Sequence, residues 1–362
     1  MTSRFVDVVI ACHDPSRPIE RAVGSVLTSD VARESVRVTV VAHGQPADAF
    51  RQRLEGIDGE WRVVEHHDGI PSPAGPYNRG LALVEADYCA VMGSDDFLEP
   101  GAIEAWIAVA RAGHADMVVA PMRIDGQPVM FNPLPRPRRM SSLDASRDRL
   151  FYRSAPLGLI RTETMRRLGL SMTEGVPVGE DIEFGVRLFT ESSRIDFPFR
   201  APCYVIGTDA RERTSHAPLT IEQTMQPIIR LLDGDVPARL APAHRRALAV
   251  KLVRISVLGA ARSRPRPQDW RPGDAEALGD LLDRVLALDD RALHPLSRQE
   301  RTLVDAIRTH PTPEGIVAGI AASDAQTSRR QRVLSRRMRA VADRESILRR
   351  YVVYAIRQRR WG

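Results

Sequence analysis

Two adjacent pairs of acidic residues are the chain's strongest candidates for chemistry. In YCAVMGSDDFLEPGAIE an apolar, strand-like run ends in Asp95 and Asp96, and a helical pattern begins near Pro100. Two carboxylates at a strand's end form a hard-oxygen site suited to Mg²⁺ or Mn²⁺. Such a cation neutralises a diphosphate as charge develops on the departing group. The same residues also suit a helix-capping turn, because Asp is favoured ahead of a helix and Pro100 fits a first helical position. Further along, GVPVGEDIEFGVRLF sets Glu180 and Asp181 after a glycine turn, at the head of an amphipathic helix with Ile182, Val186 and Phe189 on its inward face. A carboxylate there can take the proton from an attacking hydroxyl, a general-base role typically worth about 10²- to 10⁴-fold. Equally, both acids can cap the helix and complement its dipole. Taken singly, each pair leaves both readings open.

The elements that must position these pairs follow from the periodicity. Short β-rich runs, VDVVIA at Val6, VRVTVVA at Val36, WRVVEH at Trp61, DYCAVM at Asp87 and DMVVAP at Asp116, alternate with helical patterns at Pro18–Thr28 and around Leu81, Leu83 and Val84. Alternation of this kind predicts a mixed, mostly parallel sheet flanked by helices. Ligands of such sheets sit beyond the carboxyl ends of the strands, so the loops CHD, AHGQ and GSDD are expected to converge. Residues 127–139, QPVMFNPLPRPRR, read as a mobile surface flap. Helices resume at Thr162–Leu168 and Glu180–Thr190, and CYVIG returns to the sheet region.

Bulk properties bound the rest. With 362 residues, 43% apolar and 27% charged, the chain suits one large and one smaller soluble globular domain. The expected division is an α/β domain over residues 1–217 and a mainly α-helical domain over 218–362, with helices at 221–233, 244–261, 275–288 and 298–309. No apolar run reaches the roughly 18 residues of a membrane span and no signal-peptide pattern opens the chain, so a cytoplasmic location is expected. Cys12, Cys89 and Cys203 lie far apart in apolar runs, which fits reduced core thiols.

The overall charge of +6 is uneven: residues 329–362 carry 12 arginines against Asp343 and Glu345, a net +10, which leaves the other residues at −4. A final helix with Leu334, Met338, Val341, Leu348 and Val352 along one face would either pack on its helical neighbours or lie on an anionic membrane surface. The second use would make the protein peripheral to the inner face of the plasma membrane. No nucleic-acid motif or aromatic platform accompanies the charge. A helical domain of this size also suits homo-oligomer contacts.

Together, and in this order behind this strand pattern, the two acidic segments resemble the family 2 glycosyltransferases of GT-A (nucleotide-diphospho-sugar transferase) fold. The resemblance covers roughly residues 4 to 217. VDVVIACHDPSRPIERAVGSVLTS is similar to the family's opening strand, loop and helix, and SPAGPYNRGLALVEADYCAVMGSDDFLEPGAIE to its central block. The resemblance implies inverting transfer of a sugar from a nucleotide-sugar donor, a UDP-sugar first, to a glycan, lipid-linked saccharide or cell-surface polymer. It makes Asp95 the Mn²⁺ or Mg²⁺ and diphosphate ligand, Asp96 a supporting carboxylate, and Asp181 the base with Glu180 beside it. Ala11, His13, Asp14, His43 and Ser94 would border the nucleotide, with Asn78 and Arg79 near its phosphates or ribose. His216 would complete the metal site, or stand as a surface histidine. Arg211 and Arg213 suit the diphosphate, since guanidinium forks match phosphate oxygens.

Three departures stand out: Gly93 where the family commonly has a further Asp, Ala42–Gln45 where an acid often reads the base, and Pro76-Tyr77 ahead of Asn78. They leave a second reading, a catalytically inactive GT-A-like scaffold protein. His66, His67 and Asp68 lack a metalloenzyme spacing and read as strand-end polar residues.

Overall fold

The computed structural model describes residues 4–209 and 219–361, and the chain divides into two compact units. The first comprises Met1–Asn132, Arg139–Asp144 and Arg153–Ala217; the second comprises Pro133–Arg138, Ala145–Tyr152 and Pro218–Gly362.

In the first unit the apolar runs form β1 (Val6–Cys12), β2 (Val36–His43), β3 (Glu60–His66) and β4 (Tyr88–Gly93), all parallel, with Val6 opposite both Val36 and Tyr88. The sheet continues through β8 (Gly158–Arg161), antiparallel to β4 and to β6 (Met117–Val119), and ends at β9 (Ile195–Asp196), giving the order β3-β2-β1-β4-β8-β6-β9. A small second sheet orders β5 (Phe97–Leu98), β10 (Tyr204–Ile206) and β7 (Met122–Ile124) as β5-β10-β7. This is the expected α/β, mostly parallel architecture; the antiparallel β8 was not expected.

Successive strand residues face opposite sides of a sheet. Val8, Ile10, Val38, Val40, Ala90 and Met92 form one core with α1 (Ile19–Val26), α3 (Asp48–Leu54) and α5 (Ala102–Gly113), anchored by Val23, Phe50 and Trp106; α2 (Asp30–Ser35) leads into β2. Val9 and Val41 face the other way, against α4 (Ala74–Ala82). There Gly80 lets the helix approach: an added Cβ would drive into Val9 Cγ1 and come within 3.1 Å of Val41 Cγ2. Gly80→Ala is therefore expected to destabilise the unit by about 1–3 kcal/mol, because overpacking outweighs alanine's helix-propensity gain of up to about 1 kcal/mol. A urea melt showing no fall in midpoint would refute this. Two further helices, α6 (Thr162–Arg167) and α7 (Ile182–Glu191), complete the unit; α7 buries Phe184, Val186, Leu188 and Phe189, and Ile182 is only half-buried.

The second unit is helical. Helices Ile221–Asp233 and Arg298–Thr309 each begin with a capping box, Thr220 with Gln223 and Ser297 with Glu300. The helical run from Pro242 to Arg262 widens to a π-helix over Leu252–Val257, where Arg254 reaches Glu300 at 2.6 Å. Helix Asp274–Leu288 matches its expected span, and Pro313–Asp324 is an additional helix.

Two expectations need correction. The proline-arginine stretch is no surface flap throughout: Pro133, Leu134 and Pro135 are buried, and Arg136 pairs with the fully buried Asp148 at 2.6 Å. The final helix is not continuous either. It breaks into Arg329–Val333, a 3₁₀ turn at Met338–Ala342 and Ile347–Trp361. Ser335 bridges to Ser297 and donates to the Pro295 carbonyl (3.2 Å), so tertiary bonding overrides helix propensity between the pieces. All three cysteines are buried free thiols. Among the described residues no helix is long and apolar enough to cross a membrane.

Candidate active site

The loops leaving β1, β2 and β4 line one cleft of about 650 Å³, bordered by Ala11, His13, Arg17, His43, Ser94 and Asp95. It lies where the strand order reverses between β1 and β4, the usual ligand crevice of a doubly wound sheet. Asp14 stands just outside. Its carboxylate accepts bonds from Ser16 N and Oγ, both 2.8 Å, and so shapes the loop that delivers Arg17.

Asp95 and Asp96 adjoin in sequence but are held differently. Arg17 Nη1 lies 2.9 Å from Asp95 Oδ1, with both side chains nearly buried, and Arg21 Nη2 donates to the Asp95 carbonyl at 2.6 Å. Asp96 turns to β10: Oδ2 accepts from the Tyr204 hydroxyl and Oδ1 from Gly207 N at 3.0 Å. The Tyr204 oxygen in turn accepts from Gly93 N at 3.0 Å. Asp96 thus ties the strand end to the small sheet and leaves Asp95 as the carboxylate bordering the cleft. Gly93 has a steric reason, since an added Cβ would lie 2.5 Å from Asp96 Oδ2. Tyr204→Phe should leave Asp96 and Gly93 N short of a partner, costing about 1–3 kcal/mol. Thermal melting that matches the unsubstituted protein would contradict that role.

The second acidic pair sits at the head of α7, with Asp181 at its N-cap. Its loop is pinned from α4: Asn78 Nδ2 donates to Met172 O (3.0 Å) and Glu174 Oε1 (3.1 Å), and Asn78 Oδ1 accepts from Met172 N (2.8 Å). Thr173 N closes the loop onto Glu180 O at 2.8 Å. Withdrawal from solvent, then the adjoining Asp181 charge, pushes the Glu180 carboxyl up to about 7. Tyr77 joins the two pairs. Its hydroxyl donates to Met92 O at 3.1 Å, at the end of β4, and its ionisation is suppressed first by burial and then by Glu180, Asp96, Asp95 and Asp181 together. The four carboxylates therefore share one electrostatic environment.

Asn78 spends its amide on the acidic loop and borders a separate cavity of about 700 Å³ rather than the cleft. Arg79 is exposed on α4. Arg211, Arg213 and His216 lie outside the described residues. Sequence reasoning passed over Arg17, Arg21 and Tyr204. The first two carry a faint signal, a four-residue spacing at the entry to α1; Tyr204 carries none, because its partner lies on another sheet. Among the described residues no group of three or more His, Cys, Asp or Glu forms a metal cage.

Comparison with known proteins agrees with this architecture. Residues 7–168 match the model described as Glycosyl transferase family 2. No curated protein matches the chain. Among solved structures it is similar to S. aureus TarS 1-349 in complex with UDP-GlcNAc, with 17% identity over 89% of this chain and 92% of that one and a TM-score of 0.71. It is also similar to S. aureus TarS 1-349 in complex with UDP, with 16% identity over 90% and 93% and a TM-score of 0.70. At such identities the likeness is one of fold. The glycosyl transferase family 2 match thus spans residues 7–168, a little under half of the chain, within a GT-A architecture similar to that of these structures.

Proposed function

We propose that the chain is an inverting glycosyltransferase that moves a sugar from a nucleotide-sugar donor to a hydroxyl of a glycan, lipid-linked saccharide or cell-surface polymer. The observation that carries this reading is Tyr77, which lines the strand-end cleft beside Asp95 and feels the charges of Glu180, Asp96, Asp95 and Asp181 together. The family-model match over residues 7–168 supports it, and the uridine nucleotides held by the TarS structures favour a UDP-sugar. In the proposed step Asp181 takes the acceptor's hydroxyl proton as that oxygen bonds to the anomeric carbon. The bond from that carbon to the diphosphate breaks, and the nucleoside diphosphate leaves with the electron pair.

A divalent cation in such sites is held by one or two carboxylates plus the substrate's own phosphates. Asp95 fits that pattern: it is an acidic group at the cleft, whereas Asp96 is bonded to Tyr204 and Gly207. The residues thus suit Mg²⁺ or Mn²⁺ arriving with the nucleotide, which would add positive charge against the leaving diphosphate. Arg17, on the same carboxylate, is placed to add a guanidinium.

Assaying purified protein with UDP-, GDP- and dTDP-sugars tests the proposal, with the product's anomeric configuration read by proton NMR. Inverted product supports it and retained configuration refutes the stereochemistry. Nucleotide binding without transfer to any acceptor would favour the scaffold reading.

The acceptor's setting is suggested by helix Ile347–Trp361. Tyr351, Val352, Tyr354 and Ile356 are exposed on it, no acid lies within it, and Arg329 stacks over the Tyr351 ring at 5.8 Å. An outward apolar surface amid arginines matches an anionic bilayer, where apolar groups enter the interface and cations meet headgroups. Deletion of residues 329–362 should then abolish cosedimentation with phosphatidylserine vesicles, and unchanged cosedimentation would reject the membrane role.

A further inference from the structure

We infer that Arg21 is a positioning residue for the cation site: held by Asp209, its guanidinium grips the Asp95 peptide by the carbonyl and so fixes where the Asp95 carboxylate meets a cation. This rests on the nucleotide-sugar reading of the cleft and adds to it a residue that touches neither donor nor cation.

The guanidinium joins three elements. Arg21 lies in the first turn of α1, and its Nη2 donates to the Asp95 carbonyl at 2.6 Å. The same Nη2 and its neighbour Nη1 grip the Asp209 carboxylate at 2.9 and 2.7 Å, a two-pronged pair that fixes the plane of the fork. Arg21 also stacks over the Phe97 ring at 4.7 Å, and Phe97 belongs to β5, which pairs with β10. Carboxylate and ring together restrict the guanidinium to the orientation in which Nη2 meets the Asp95 carbonyl.

The chain just beyond β10 closes over the same carbonyl. An added Cβ at Gly207 would drive into the Asp95 carbonyl oxygen and come to 3.0 Å from Arg21 Nη2. A peptide oxygen packed this closely needs a donor, and Arg21 supplies one.

The consequence falls on the carboxylate, which is joined to its peptide by one short side chain and moves with it. Groups that hold a ligating carboxylate from behind typically govern metal affinity by about 10- to 100-fold. Arg17 and Arg21 thus divide their roles at Asp95: Arg17 sits on the carboxylate, 2.9 Å from Oδ1, and Arg21 holds the carbonyl. Arg21 is no diphosphate ligand in this arrangement, because Asp209 fills its fork and it does not line the cleft. The Arg21–Asp209 pair is partly exposed and adds little to folding, so its role can be tested in a folded protein.

Calorimetric titration with UDP, or with whichever of GDP and dTDP binds in its place, tests this with and without Mn²⁺, the bound Mn²⁺ being counted by electron paramagnetic resonance. Arg21→Met should weaken Mn²⁺-dependent nucleotide binding by about 10- to 100-fold and leave Mn²⁺-free binding unchanged. Asp209→Asn should weaken it less, in the same sense, and combining it with Arg21→Met should lower it no further than Arg21→Met alone. In an Asp95→Ala background Arg21→Met should have no additional effect. Unchanged Mn²⁺-dependent binding in Arg21→Met overturns the role, as does an equal loss without Mn²⁺, which would make Arg21 a nucleotide contact. A further loss in the Asp95→Ala background overturns it too, since Arg21 would then act elsewhere. Should Arg21→Met fail to fold, Asp209→Asn decides, because its side chain is exposed: unaltered Mn²⁺ dependence there refutes the relay. Failure of all three nucleotides to bind the unsubstituted protein overturns the donor reading beneath it as well.

Discussion

Asp95→Ala should remove cation-dependent binding of nucleoside diphosphate and lower sugar transfer by at least about 100-fold, the scale of losing a principal electrostatic stabiliser of a leaving group. Asp96 is engaged elsewhere, its two oxygens accepting from Tyr204 and Gly207, and does not line the cleft. A control separates charge from structure. Asp95 also neutralises the nearly buried Arg17, so its removal leaves a guanidinium without its 2.9 Å counter-charge and should lower stability by on the order of 1–3 kcal/mol. Binding must therefore be titrated well below the melting midpoint. Arg17→Ala takes away the guanidinium that competes with a cation for Asp95, so cation affinity of the free protein should rise while nucleotide affinity falls. If Asp95→Ala retained cation-dependent binding, the cation would have to sit elsewhere in the cleft.

The contrast between Asp95 and Asp96 marks where sequence reasoning reached its limit. Both acids were legible as a strand-end pair, since an apolar run closing in GSDD before a helix start is a local pattern. Their division of labour was not, because it depends on Tyr204, more than a hundred residues away, entering from the small sheet. The parallel strands β1 and β2 were likewise legible, being largely β-branched runs buried on both faces. The antiparallel β8 was not: four residues, GLIR, with Gly158 at φ +130°, carry too little periodicity to separate strand from loop. In the tail, residues 329–362 gave a helical stripe by spacing alone. The break comes from the Ser335–Ser297 bridge, and Glu345 is held in a buried group with Arg149 and Tyr152; neither interaction has a local signature. His66 and Asp68 were visible as a cluster, but only the pairing of β2 with β3 brings His43 alongside, its Nε2 2.7 Å from Asp68 Oδ1.

Substitution of the second acidic pair should separate base from neighbour. Asp181→Asn should reduce transfer by about 10²- to 10⁴-fold, the loss of a general base, with nucleotide affinity unchanged. Glu180→Gln should behave differently. The folded protein holds the Glu180 proton up to about 7, whereas an ordinary glutamate releases it near 4.5. Between those values the folded state binds more protons than the unfolded one, so stability falls as pH rises through the window and stays reduced above it. The full difference amounts to roughly 3 kcal/mol at most. Glu180→Gln removes it, and should match the parent protein's stability near pH 4 while exceeding it by about 1–3 kcal/mol above pH 7. In catalysis, ionisation of Glu180 places a second negative charge beside Asp181 and makes that carboxylate more basic. Transfer should accordingly rise as pH passes about 7 in the parent protein, and this inflection should vanish in Glu180→Gln. A collapse of turnover in Glu180→Gln as deep as in Asp181→Asn would move the base role to Glu180. Full activity of Asp181→Asn would exclude Asp181 from the proton transfer.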